Sequence, residues 1–242
     1  MKVGFIGVGY MGYGIAKNLI KHGHKLFVVA NKNRVPIDKI IYDGAEEAKD
    51  IEELCNKELD ALFLCVTNTP IATSIAEKLL DFLTSKTLII DITTHNQNGS
   101  KDMDKIFSTK NISYVECPVM GGPVQAEEGV LGGIVGATEE NFKKAESYLK
   151  NFCKDYFYFG EVGAGAKSKL LNNFLSIGTA TLVIELIKSA KKMDIDLEKL
   201  FSVAKLGSGN SAALNRIFDK VLQNDYTGFR FSTSNTLKDL TY

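Results

Sequence analysis

The sequence lacks an excess of charge of either sign, because 29 lysines and arginines balance 29 aspartates and glutamates among its 242 residues. A chain without net charge has no overall field that would recruit nucleic acid or an anionic membrane, although local patches are compatible with this balance. The composition therefore indicates a small molecule as the partner and predicts no nucleic-acid partner.

The sequence also lacks paired cysteines. Cys55, Cys65, Cys117 and Cys153 are widely spaced and form no C-x-x-C motif. This spacing argues against a zinc site and against a disulfide framework, and it suits a reducing cytosol. We predict four buried thiols and no bound metal.

A third absence concerns targeting and membrane segments. The N-terminal stretch "MKVGFIGVG" breaks into glycines after a few apolar residues, so it does not fit a signal peptide. No apolar run reaches the ~18 residues of a membrane span. We therefore expect a soluble, cytoplasmic protein without a membrane partner.

What the sequence does contain is a change of pattern near residue 160. Before it, short β-rich runs alternate with helical stretches, which predicts right-handed βαβ crossovers and a mainly parallel sheet covered on both faces. After it, only helical patterns follow, at about 164–192, 196–206 and 211–222. The predicted domains are a doubly wound α/β domain over 1–160 and a smaller all-α domain over 161–242.

The first β-rich run leads directly into Gly7-x-Gly9-x-x-Gly12 and then into a helical pattern. Gly7 permits a tight turn, Gly9 lets the backbone approach a pyrophosphate, and Gly12 allows close packing of helix on strand. The position of the motif favours dinucleotide binding, and hence a Rossmann-type sheet, over a merely flexible turn. The cofactor-binding residues predicted from this turn and from the end of the run "ELDALFLCVT" are Gly7, Gly9, Tyr10, Met11, Gly12 and Thr67.

The end of the second β-rich run, "FVVANKNR", bears on the choice of cofactor. An acidic residue there would bind the ribose 2′-hydroxyl of NAD, but this chain has Asn31, followed by Lys32 and Arg34. Cations at this point favour the 2′-phosphate of NADP. In the alternative, NAD is bound: Asn31 serves its hydroxyl, and Lys32 and Arg34 are solvated loop charges.

The stretch "GAGAKSKLLNNF" places polar side chains at the start of the long apolar helix. At about 100° per residue, Lys169 and Asn173 lie about 40° apart, with Asn172 about 60° to the other side and Lys167 about 160° away. Partial desolvation would lower the pKa of Lys169 and make it a usable proton donor. Alternatively, Lys169 extends to the surface and the asparagines cap neighbouring backbone.

Five ordered blocks of the sequence resemble the β-hydroxyacid dehydrogenases, which are relatives of 6-phosphogluconate dehydrogenase. The blocks are "GFIGVGYMGYGIAKNLIKHGH", "DITT" at Asp91–Thr94, "ECPVMGGPVQAEEGVLGGIVGA" at Glu116–Ala137, "GAGAKSKLLNN", and Phe231 with the Lys238-Asp239-Leu240 element. Together they cover nearly the whole chain.

The resemblance implies roles for individual residues. Lys169 would be the general acid that protonates the carbonyl oxygen of the substrate, and the base in the reverse oxidation. Asn173 would lie next to it on the substrate. Thr94 would contact the cofactor near its nicotinamide and the substrate, and Lys238 would close over both.

The resemblance also implies a substrate-binding loop. Gly121 and Gly122 correspond to a loop whose backbone amides receive the substrate carboxylate, and glycines do expose N–H groups to anions. In isolation the pair would be read as a tight turn after a strand. Phe231 would wall the substrate pocket, although an aromatic residue in a helical region is more often part of the core.

The chain departs from the family pattern at three points. Met120 replaces the serine of the usual P-V-S-G-G, and a thioether cannot donate that hydrogen bond to the carboxylate. Either backbone amides alone hold the carboxylate, or the substrate carries a more apolar group toward Met120. Asn172 stands where 6-phosphogluconate dehydrogenases have histidine. Family members continue beyond the K-D-L element, so a short C-terminus is expected to weaken dimerisation, cofactor closure or activity.

The sequence thus predicts an NADP-dependent reductase or dehydrogenase that acts on a small β-hydroxyacid or carboxylate-bearing aldehyde or ketoacid. The alternative is an NADP-binding homologue without catalysis, with a regulatory role, suggested by Met120 and the short C-terminus. An imine reductase is disfavoured because those enzymes generally lack this lysine. The 164–192 helix has more apolar surface than one small helical domain can cover, which predicts a homodimer through the C-terminal domain.

Overall fold

The computed structural model describes residues 1–31, 33–96, 98–227 and 231–242. The chain divides into two compact units, Met1–Lys169 and Leu170–Tyr242. The division falls inside a single long helix, so the first turns of that helix belong to the first unit and the rest to the second.

The first unit is built on a six-stranded parallel sheet in the order β3-β2-β1-β4-β5-β6. This order reverses between β1 and β4, as in a doubly wound dinucleotide-binding sheet. Its strands are β1 Lys2–Ile6, β2 Lys25–Val29, β3 Glu46–Ala48, β4 Ala61–Leu64, β5 Leu88–Asp91 and β6 Ser113–Glu116.

Helices connect these strands and cover both faces of the sheet. Alternate residues of β4 show the two faces, because Phe63 packs into one buried cluster and Leu62 into another. Strands that are buried on both faces have nearly continuous apolar sequences, and for this reason the α/β pattern could be predicted from the sequence. The helices of this unit are α1 Tyr10–Lys21, α2 Val35–Tyr42, α3 Ile51–Cys55, α4 Thr69–Leu79, α5 Gly99–Ser108, α6 Pro123–Glu128 and α7 Glu139–Leu149.

A second, three-stranded sheet follows in the same unit. It consists of β7 Val119–Met120, β8 Leu131–Val135 and β9 Cys153–Tyr158, with β7 antiparallel and β9 parallel to β8. The last β-rich run before residue 160, "DYFYFG" at 155–160, therefore contributes its strand residues to this small sheet and does not extend the six-stranded one.

In the described residues of the second unit, 170–227 and 231–242, all regular structure is helical. The unit contains most of α8 (Ala164–Lys192), then α9 Leu197–Leu206, α10 Ala212–Val221 and α11 Thr233–Thr241. Its core is one cluster in which the rings of Phe201 and Phe218 stack with centroids 4.9 Å apart. The predicted fold class, a Rossmann-type sheet followed by a smaller all-α region, is confirmed.

Helix α8 corrects the expectation that no segment is apolar and long enough to cross a membrane. Its 29 residues meet that test by length and composition alone, a test that the core helix of a soluble protein also passes. Only 28 % of its most apolar window is buried within the chain. The rest of that window is half-buried or exposed on this chain.

Candidate active site

The glycine turn after β1 has the geometry that its sequence predicts. Gly7 has a φ of +105°, and a Cβ there would collide with the backbone carbonyl of Cys65. A Cβ on Gly12 would likewise collide with the carbonyl of Gly7, whereas a Cβ on Gly9 would meet no atom within 4 Å. The turn is thus tight on its inner side and open at Gly9.

This open turn fits the pyrophosphate of a dinucleotide. Helix α1 begins at Tyr10, directly after Gly9, and its first turn consists of Tyr10, Met11 and Gly12, without an acidic side chain. The N-terminal amides of a helix carry partial positive charge and bind anions. Tyr10 is 90 % exposed beside this turn, and Met11 packs against the core of the sheet.

The other predicted cofactor residues follow neighbouring parallel strands. Asn31 follows β2, Thr67 follows β4 and Thr94 follows β5, so all three lie at the same edge of the sheet as the glycine turn. Asn31 and Thr67 are exposed and Thr94 is half-buried. Dinucleotides bind at this carboxyl edge in sheets of this topology.

Arg34 is already paired in the structure. Its guanidinium donates to Asp38 at 2.8 Å and to Glu47 Oε2 at 3.0 Å, and these carboxylates raise the pKa of Arg34 above its ordinary value. A 2′-phosphate would therefore have to share Arg34 with two carboxylates. Lys32, the second predicted cation, lies outside the described residues.

A buried polar network, which the sequence reasoning missed, supports the loop that carries Thr94. Asp91 accepts hydrogen bonds from the backbone of Thr93 at 2.9 Å, from His95 Nε2 at 2.8 Å and from the Tyr114 hydroxyl at 3.2 Å. The other ring nitrogen of His95 lies 3.1 Å from the Thr69 hydroxyl. The Thr–His–Asp chain resembles a nucleophilic triad, but His95 and Asp91 are fully buried and hold the loop in place.

Lys169 is a buried, hydrogen-bonded residue in the first turns of α8. Its side chain is buried, with 8 % exposure, and Nζ donates to the carbonyl oxygen of Val119 at 2.8 Å and lies 3.3 Å from the sulfur of Met120. Lys167, two residues earlier, is exposed. The structure therefore distinguishes the two lysines in the same way as the helical spacing does.

The loop after Met120 is shaped by two glycines. Gly121 has a φ of +118°, and a Cβ there would lie 2.7 Å from a methyl group of Leu131. The amide of Gly122 donates to the side-chain oxygen of Gln125 at 2.9 Å, at the start of α6. A substrate carboxylate that uses the Gly122 amide would have to displace Gln125.

In the second unit, the predicted site residues Asn173 and Lys238 both contact Asp239. Asn173 donates to Asp239 Oδ2 at 2.7 Å, and Lys238 Nζ lies 2.9 Å from Asp239 Oδ1. Asn173 and Asp239 are buried, at 5 % and 7 % exposure. Asp239 thus contacts both Asn173 and Lys238, and the K-D-L element was the signal for it in the sequence.

Phe231 lies elsewhere in the second unit. It is 38 % exposed and lines a cavity of about 450 Å³ whose other walls include Ile177, Ile217, Val221 and Tyr226. This cavity is largely apolar, and Asn173 and Lys238 are not among the residues that line it.

Two family models together match almost the whole chain. Residues 2–160 match the NAD binding domain of 6-phosphogluconate dehydrogenase, and residues 163–242 match the NAD-binding domain of NADP-dependent 3-hydroxyisobutyrate dehydrogenase. The chain belongs to the β-hydroxyacid dehydrogenase family. It is an NAD(P)-binding oxidoreductase of the 3-hydroxyisobutyrate dehydrogenase type.

Individual relatives agree with this assignment. The chain is 28 % identical to 2-(hydroxymethyl)glutarate dehydrogenase of Eubacterium barkeri over 232 residues, which cover 94 % of this chain and 76 % of that protein. Among solved structures, 3-hydroxyisobutyrate dehydrogenase of Mycobacterium tuberculosis with L-serine has a TM-score of 0.87 at 22 % identity, covering 99 % of this chain and 84 % of that one. Psf3 in complex with NADP+ and 2-OPP has a TM-score of 0.84 at 25 % identity, covering 99 % and 92 %.

Proposed function

We propose that the protein interconverts a small β-hydroxyacid and the corresponding carboxylate-bearing aldehyde or ketoacid, with Lys169 as general acid and base. The observation that carries this proposal is the placement of Lys169. The Lys169 side chain is buried, and its ammonium group donates a hydrogen bond to the carbonyl of Val119. Val119 lies in the segment that leads into the Gly121–Gly122 loop. A fixed, partly desolvated amine is suited to proton transfer at a carbonyl oxygen.

The nicotinamide, when bound, would supply or accept the hydride. The residues of the chain would transfer the proton and hold the substrate and the cofactor. Lys169 would give its proton to the substrate oxygen in reduction and remove it in oxidation. Asn173 and Lys238, both oriented by Asp239, would bind the substrate and close over the cofactor. Thr94 would contact the nicotinamide end from a loop held by the Asp91–His95 pair.

The substrate carboxylate would lie against the loop formed by Met120, Gly121 and Gly122. Met120 places its thioether next to Lys169, so the substrate would present an apolar carbon on that side. The carboxylate would take the place of the Gln125 oxygen at the Gly122 amide.

A single substitution with a matched control tests this function. We expect Lys169→Ala to lower kcat by roughly 10²- to 10⁴-fold, the range for loss of a general acid, whereas Lys167→Ala keeps wild-type turnover. The assay follows NADPH oxidation with a panel of small carboxylate-bearing aldehydes and ketoacids, and circular dichroism verifies folding. Full turnover by folded Lys169→Ala would refute the role of the lysine.

We propose NADP as the preferred cofactor. The segment after β2 carries the amide of Asn31 and the guanidinium of Arg34, which a 2′-phosphate would share with Asp38 and Glu47. No carboxylate takes the position of Asn31, where an acidic residue would repel a 2′-phosphate. We expect the KM for NADPH to be below the KM for NADH, and Arg34→Gln to reduce this difference. A lower KM for NADH in the wild-type protein would contradict the preference.

We further propose a homodimer formed through the second unit. Large apolar side chains of α8 are exposed, among them Leu171 at 73 %, Phe174 at 72 % and Leu182 at 72 %. Surfaces of this kind mark subunit interfaces in soluble proteins. Light scattering at micromolar concentration tests the proposal, and a monomer there would contradict it.

Two observations on the same loop favour a second candidate function, a non-catalytic NADP-binding homologue. The Gly122 amide is occupied by Gln125, and Met120 cannot donate a hydrogen bond to a carboxylate. Tight NADPH binding without turnover of any substrate in the panel would favour this candidate. Turnover that depends on Lys169 would exclude it.

A further inference from the structure

A buried carboxylate holds the start of the helix that carries Lys169. Glu116 is the last residue of β6 and has no exposed surface. Its Oε1 accepts hydrogen bonds from the backbone amides of Gly163 at 2.6 Å and Gly165 at 2.8 Å. Because α8 begins at Ala164, these amides belong to the N-terminal donors that a helix cannot satisfy internally.

The surroundings of this carboxylate leave it little freedom to move. Gly136 pairs with the backbone of Glu116 through two hydrogen bonds of 3.0 Å, and a Cβ on Gly136 would collide with Oε1. A Cβ on Gly165 would lie 3.0 Å from the same oxygen and 2.9 Å from the amide nitrogen of Gly136. Glycines at both positions thus make room for the carboxylate and let α8 approach it closely.

The chain segment that begins with Glu116 also fixes Lys169. Three residues after Glu116, the carbonyl of Val119 accepts from Lys169 Nζ, and the next residue, Met120, contacts the same atom. Lys169 lies four residues beyond Gly165, about 6 Å along the helix axis. Segment 116–120 therefore holds α8 at two points, at its first turn and at the lysine.

We propose that Glu116 is a positioning residue for Lys169, fixing the start of α8 so that the amine stays in register with the Met120–Gly122 loop. This inference rests on the proposed function, in which Lys169 transfers the proton. Glu116 itself contacts helix amides and has no contact with a reacting atom in this role.

The protonation state of Glu116 bears on which substitution preserves its hydrogen bonds to the helix amides. Burial raises the pKa of Glu116, while the Ser100 hydroxyl and the amides of Gly163 and Gly165 oppose that shift. An uncharged carboxyl group still accepts hydrogen bonds through one oxygen. Glutamine offers a carbonyl oxygen at the same reach, whereas alanine removes it and aspartate is one methylene too short to reach both amides.

A kcat expressed per cofactor-binding site distinguishes a positioning role of Glu116 from a merely structural one, because loss of folded protein does not change it. NADPH fluorescence titration counts the folded sites, and kcat is expressed per site. We expect Glu116→Ala to lower kcat by about 10- to 100-fold, because small displacements of a catalytic group have effects of this size. We expect the KM for NADPH to stay within about 2-fold, and Glu116→Gln to retain kcat within about 3-fold.

A matched control reports the effect of lost stability alone. Thr87 is buried, at 3 % exposure, and donates to the carbonyl of Leu59 at 2.9 Å, so Thr87→Val also removes a buried hydrogen bond of the first unit. Its kcat per site should equal that of the wild type. The proposal is overturned if Glu116→Ala behaves like Thr87→Val, or if Glu116→Gln loses as much kcat as Glu116→Ala. If Glu116→Ala does not fold, Glu116→Asp takes its place, with the same criteria.

A second readout keeps the proposal separate from the proposed function. Hydrogen exchange of amides 163–169 and the rate at which an amine-reactive reagent modifies Lys169 need no substrate. We expect both to increase in Glu116→Ala and to stay at wild-type values in Glu116→Gln. If no substrate is turned over, the proposed function fails, yet these two rates still support the positioning role when they increase and overturn it when they do not.

Discussion

The two compact units differ in how completely they bury their own apolar surface. In the first unit, both faces of the six-stranded sheet are covered, and Phe63 and Leu62 on adjacent positions of β4 are fully buried. In the second unit, Phe174 and Leu182 on α8 each keep about 72 % of their surface exposed. The first unit therefore covers its own apolar core, whereas the second leaves large apolar side chains of α8 exposed on this chain.

The largest effect is expected from the core of the first unit. Phe63 is fully buried, with its ring stacked on Phe5 at 5.6 Å and edge-on to Phe152 at 5.9 Å. Phe63→Ala would leave a cavity in a closely packed core and reduce the free energy of unfolding by about 4 kcal/mol. Urea denaturation measures this difference. A loss below 1 kcal/mol would mean that the core of the first unit is not well packed.

A smaller effect is expected from the buried carboxylate at the end of β5. Asp91→Leu would leave the donors of His95, Tyr114 and Thr93 without their acceptor, because all three donate to Asp91. Breaking a buried pair in this way costs about 3 kcal/mol. The same substitution should raise the KM for the cofactor, since the loop carries Thr94. Unchanged stability together with unchanged KM would contradict the role assigned to this network.

The corresponding carboxylate in the second unit provides the comparison. Asp239→Leu removes the partner of Asn173 and Lys238, but 20 % of the Lys238 side chain remains exposed to water. We expect a loss of about 2 kcal/mol, less than for Asp91→Leu, because water partly replaces the lost acceptor. The two variants are compared by urea denaturation under identical conditions, and an equal or larger loss for Asp239→Leu would reverse the order.

The sequence predicted those features that depend on neighbouring residues along the chain. The glycine turn and the alternation of strands and helices follow from local spacing, and so does the distinction between Lys169 and Lys167. Contacts between distant residues could not be read in this way. The pairing of Arg34 with Glu47, the occupation of the Gly122 amide by Gln125 and the contact of Glu116 with Gly165 depend on how the chain folds back.

The smallest effect on the stability of the chain is expected at the surface of α8. A substitution there tests whether a second copy of the chain covers the exposed apolar side chains of the second unit. Leu182 is exposed, so Leu182→Ser should change the free energy of unfolding of a monomer by less than about 0.5 kcal/mol. If a second copy of the chain covers this surface, the same substitution weakens association, because it removes buried apolar area from the interface. Light scattering over a range of concentrations should then show dissociation of Leu182→Ser at concentrations where the wild-type protein is dimeric. Thr179→Ser, which changes a polar side chain of the same helix, serves as the control and should leave the dimer intact. Equal dimerisation of Leu182→Ser and the wild type would place the subunit contact away from Leu182.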